Sequence, residues 1–103
     1  MKPETEAQLR SEATRGMEAN DLLSNTLLVE AFTVLDERLT VEWANSPARD
    51  TEGRERLWMM HKLLLSLRGH ISEIAQTGKL ASIQLEQERT LAQKIKNQVN
   101  EWL

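Results

Sequence analysis

A chain of 103 residues has room for one domain with a limited core, and its 28% charged, 40% hydrophobic composition with four Gly and two Pro is that of a long-helix protein. The absence of cysteine excludes disulfides and thiolate metal sites. A net charge of -3 excludes the dense basic face that phosphate neutralisation needs, so nucleic acid is not an expected partner. The charge is uneven: residues 1 to 50 carry five basic and ten acidic groups, residues 51 to 103 eight basic and six acidic. Such polarity favours antiparallel docking of the halves or head-to-tail association.

The first segment, residues 1–20, is polar. Leu9, Ala13 and Met17 are its only helical stripe. Pro3 suits a first helical turn, and Glu4 and Glu6 suit the positive end of a helix dipole, so the segment reads as a marginal helix or a polar arm. It contains no apolar h-region, which argues against a secretory signal, and the longest apolar run, Leu63 to Leu65, is far too short to span a membrane.

From Asp21 apolar residues recur at helical spacing: Leu22, Leu23, Leu27, Leu28, Ala31, Phe32, Leu35 and Leu39, up to Trp43. Asp21, Ser24 and Asn25 can each cap a helix of about Ser24 to Ala44, and Asn45-Ser46-Pro47 ends it. Asp50 can cap the next helix, which opens with Glu52 and Glu55.

That next helix carries the clearest pattern in the chain. Leu57, Met60, Leu64, Leu67, Ile71 and Ile74 alternate three- and four-residue steps, a heptad seam that another helix must cover. Gly78 takes the following seam position and reads as a C′ residue ending the helix. Residues 21–78 are therefore expected to form the core, an antiparallel αα-hairpin. Residues 79–103 should add a C-terminal helix, either continuous through a tolerated Gly78 or folded back after it. Its stripe of Leu91, Ile95, Val99 and Leu103 drifts around an ideal helix.

No motif carries chemistry. His61 and His70 stand on opposite sides of one helix and cannot share a metal, and no His-Glu-x-x-His, phosphate loop or nucleophile elbow occurs. The charges around Arg54 read as a solvated first turn with weak ion pairs, and Gly53 and Gly69 as tolerated glycines or points of close helix approach. No catalytic, metal or cofactor site is expected, and the chain is not expected to be an enzyme.

Apolar residues beside the seam are the better functional signal. Trp58, Met59 and Leu63 form a second apolar edge, and Trp102 is a docking anchor or a hook for a partner. These four are the expected protein-interface residues. Two arms bury too little to offset their ordering entropy, so helices from this chain or another copy must complete the bundle, and a homo-oligomer is expected.

The blocks Leu27-Leu28-Val29-Glu30-Ala31-Phe32, Ala48 through Trp58 and Thr77-Gly78-Lys79-Leu80-Ala81, within Leu22 to Ala81, resemble small uncharacterised helical proteins of tailed bacteriophages and prophages. The resemblance covers a little over half of the chain and brings no catalytic motif. It implies a phage gene product tied to head assembly or packaging, which interacts with a structural protein such as a capsid or portal component. Such a product would occur in the host cytoplasm and could enter the virion. The alternative is a small helical regulator or inhibitor of a host or phage protein.

Overall fold

In the computed structural model, which describes residues 1–102, α1 runs from Pro3 to Ser24, α2 from Thr26 to Asn45 and α3 from Thr51 to Trp102. The protein is all-α, with no strand among the described residues. The polar N-terminal segment is helical from Pro3 onward. α1 also continues past Asn20, taking in Asp21 to Ser24, so Asn25 alone separates it from α2. Of the three candidate caps it is Asn25 that acts. Its backbone is extended and its Oδ1 accepts the Leu28 N–H at 2.9 Å, satisfying a donor that the first turn leaves open.

The helix does not end at Gly78. α3 continues without a break, and no described glycine has a positive φ, so the left-handed C′ conformation expected of Gly78 is not adopted. The physical reason lies in its neighbour. Gly78 is buried against Gly16 of α1: a Cβ added to Gly16 would stand 2.5 Å from the Gly78 Cα, and one added to Gly78 would stand 2.7 Å from the Glu12 carbonyl oxygen. Two backbones meet where no side chain fits.

The chain divides into two compact units. The first joins Met1–Ala19 to the part of α3 from Ile74 onward. Its core is Leu9, Gly16 and Ala19 of α1 with Gly78 and Ala81 of α3. These small residues let the helices approach closely, so what would be tolerated gaps elsewhere become the contact itself. Met17, expected in the α1 stripe, is 68% exposed, and Gly16 takes the inward position instead.

The second unit, Asn20–Glu73, contains α2 and the first half of α3. Their contacts follow a simple rule: Arg54 meets Trp43, and His61 meets Asp36 seven residues earlier in α2. Later residues of α3 thus meet earlier residues of α2. Phe32 is the one large side chain buried here, with Leu23, Leu28, Val34 and Leu39 half-buried.

Asp50 caps α3 by accepting the Gly53 N–H at 3.1 Å. A Cβ at Gly53 would meet only that carboxylate, 2.8 Å from its Cγ, and no backbone of another helix, so this glycine marks no helix crossing. Arg54 was expected to be a solvated charge. It is half-buried, and its Nη1 donates to the Trp43 carbonyl at 3.3 Å, the Ser46 carbonyl at 3.2 Å and the Ser46 hydroxyl at 2.9 Å. Its guanidinium also stacks 4.0 Å from the centroid of Trp43. One side chain thus closes the C-terminal end of α2 and fixes the turn.

Arg54→Ala should cost about 1 to 3 kcal/mol, since hydrogen bonds from a charged group and a stacked ring are lost together. Arg54→Lys should recover little of it, because an ammonium lacks the planar fork that stacks while it donates. Urea denaturation of both variants checks this; a lysine variant as stable as the parent would show that charge alone suffices.

Candidate protein interface

α3 uses only part of its heptad seam to meet α2. Leu57, Leu64 and Ile71 are half-buried, as is Ile74 in the first unit, whereas Met60 and Leu67 are 52% and 54% exposed. The inward row of the second unit is shifted by one step to Leu57, His61 and Leu64, because α2 sits to one side of the seam. Met60 is therefore a surface residue and not the core residue that the seam implies.

The shift leaves two apolar edges on either side of the α2 contact. On one side Leu39, Thr40, Trp43, Leu57, Trp58 and His61 line a shallow groove. There His61 Nδ1 lies 3.1 Å from Asp36 Oδ1, an ion pair when the imidazole is protonated, and the Lys62 ammonium lies 5.3 Å from the centroid of Trp58. His61 thus turns toward α2, while His70 stays exposed, 4.0 Å from Glu73. The same side continues into a second groove between Val29 and Phe32 of α2 and Leu65 and Gly69 of α3.

The opposite side carries Met60, Leu63 and Leu67. Of the residues expected at an interface, Trp58 belongs to the first side and Leu63 to the second, so one helix presents them in different directions. Met59 is exposed beside Leu63. Trp102, near the end of α3, is 89% exposed and so docks on nothing in this chain.

Among the described residues no group of three or more His, Asp or Glu could hold a metal ion, and no buried side-chain polar atom lacks a hydrogen-bond partner. On the solvent face of α3 the Arg89 hydrogen bond at 2.6 Å holds the Glu86 carboxyl below its usual value. No described helix is long and apolar enough to cross a membrane.

What the surface offers is area. The chain exposes 8577 Å². Large apolar side chains stand open on it, among them Leu27 at 75%, Leu63 at 68% and Trp58 at 55%.

No protein-family model matches this chain, and no significant match is found among curated proteins or solved structures.

Proposed function

We propose that this is a non-enzymatic helical interaction protein that self-associates, its α2 and the first half of α3 forming an antiparallel hairpin completed by further helices. The observation that carries the reading is the set of large apolar side chains of Asn20–Glu73 that stand more than half exposed, Leu27, Met60, Leu63 and Leu67 on one side and Trp58 on the other. Exposure of this kind marks a surface that a partner covers. Light scattering and sedimentation of the purified chain at micromolar concentration test it: a mass of two or more chains is expected, and a stable monomer overturns it.

The setting follows the likeness of Leu22 to Ala81 to proteins of tailed phages and prophages. In that setting the oligomer is a structural or assembly component, made in the host cytoplasm and carried into the particle through contact with a larger shell or portal protein. A regulator of a host or phage protein is the second reading, favoured by the groove between Trp43 and Trp58, which a partner's apolar side chain could enter. Purified particles separate the two, because a structural component is present in many copies and a regulator is absent.

A further inference from the structure

Ala81 is the last buried residue of α3 and Leu85 the last half-buried one; every residue from Glu86 to Trp102 is exposed. The stretch is nevertheless two-sided. Leu91, Ile95, Gln98 and Trp102 follow steps of four, three and four, a seam with Ala92 and Val99 along one border. At about 100° per residue these six positions occupy about a third of the circumference. Leu91, Ile95, Val99 and Trp102 are all more than half exposed.

The opposite side is polar and paired within itself. Arg89 Nη2 donates to Glu86 Oε1 at 2.6 Å and Gln93 Nε2 to Asn97 Oδ1 at 3.1 Å, one pair following the other along that side. Lys94 and Glu101, by contrast, belong to no ion pair among the described residues. They stand seven residues apart, so both fall on one border of the seam, the one away from Ala92 and Val99. The helix thus shows an open apolar seam with one unpaired charge of each sign beside it.

Such a face is complementary to its own copy, and the border charges choose the direction. In a parallel pair each border meets the other border of the neighbour, which sets Lys94 against Val99 and leaves Glu101 without a cation. In an antiparallel pair like borders meet, and Lys94 of each chain faces Glu101 of the other. The register that forms these two ion pairs also sets Leu91 against Trp102, Ile95 against Gln98 and Ala92 against Val99, each contact made twice. One register therefore satisfies charge and seam together. Gln98 is the one polar member of the seam, a kind of residue that fixes register at some cost in stability.

We propose that residues Leu91 to Trp102 of α3 pair antiparallel with the same segment of a second copy, Lys94 of each against Glu101 of the other. This rests on the self-association proposed above and adds to it a contact outside Asn20–Glu73. Trp102 gains its partner there, the Leu91 of the copy. Four large side chains from each chain make a small contact, which reinforces the association and does not replace the sides of Asn20–Glu73.

Full-length Lys94→Glu and Glu101→Lys chains test the pairing, each alone and in equal mixture, by sedimentation across a concentration series at low salt beside the parent. Both positions are exposed, so the fold of the single chain is kept. Alone, each variant sets like charges together at both ends of the pair, and the concentration for half-association should rise roughly tenfold. In the mixture, unlike chains meet with both ion pairs restored, and association should return to near the parent value. The double variant Lys94→Glu/Glu101→Lys should do the same alone. Single variants that associate as the parent does, or a mixture as weak as its components, would overturn the tail pairing and leave self-association standing. A parent that is monomeric throughout would overturn both.

Discussion

Gly78→Ala is expected to loosen the contact between α1 and α3, although alanine is the better helix former by about 1 kcal/mol. The new methyl would overlap the Gly16 Cα and approach the Glu12 carbonyl, both parts of a backbone that cannot rotate away. Moving the helices apart sacrifices the packing of Leu9, Ala19 and Ala81, which together are much of what this unit buries. Overpacking of this kind costs about 1 to 3 kcal/mol net, and Gly78→Val should cost more. Gly69→Ala is the control. Nothing lies within 4 Å of a Cβ at Gly69, so its alanine variant should be stabilised by about 0.5 to 1 kcal/mol. Hydrogen exchange gives the sharper readout: protection should fall for amides of Leu9 to Ala19 and Ile74 to Leu85 in Gly78→Ala and stay near parent values around Phe32. Uniform loss across both units would mean that they do not respond separately.

Replacing Leu63 and Leu67 together with Glu should separate the copies. Both side chains are more than half exposed within one chain, so the substitution costs its fold little, yet it sets two carboxylates per chain into an apolar side that the proposed self-association would cover. The dissociation constant is expected to rise at least a hundredfold, about 2.7 kcal/mol, with helix content unchanged at high concentration. Sedimentation across a concentration series reads the first quantity and far-UV circular dichroism the second. An unchanged mass would move the interface elsewhere, toward the Trp43–Trp58 side. A corresponding double change on that side, Trp43 and Trp58 to Ala, is not an equivalent control, because Trp43 is stacked under Arg54 and its loss would disturb the turn.

The helical class, the turn at Pro47 and the Asp50 cap follow from local chemistry, and each was legible in the sequence for that reason. Seam periodicity identified α3 but not which part of the stripe its neighbour covers. A heptad gives a direction to within a residue, and the shift of α2 toward His61 depends on side chains from both helices, among them Asp36. Gly78 shows the more instructive difference. Glycine at a seam position stops a helix or lets another backbone in, and only the wider register decides between them. Ile74, Gly78, Ala81 and Leu85 continue the three-four alternation past the glycine, and Gly16 with Ala13 and Ala19 supplies the matching small face. That was the available signal. Arg54 was illegible for another reason: two of its three acceptors are backbone carbonyls freed by the end of α2, and no residue type announces a carbonyl.

The division of α3 between two units also orders events in time. Asn20–Glu73 is contiguous in sequence, so its contacts close short loops and can form as soon as that stretch is free to collapse. The other unit joins Gly16 to Gly78, residues separated by the whole of Asn20–Glu73, and must wait until the later turns of α3 exist. During synthesis α1 is therefore made first and packed last. Until then its small-residue face has no partner, and the polar, Glu- and Gln-rich character of residues 1–20 leaves the waiting helix little apolar surface to expose.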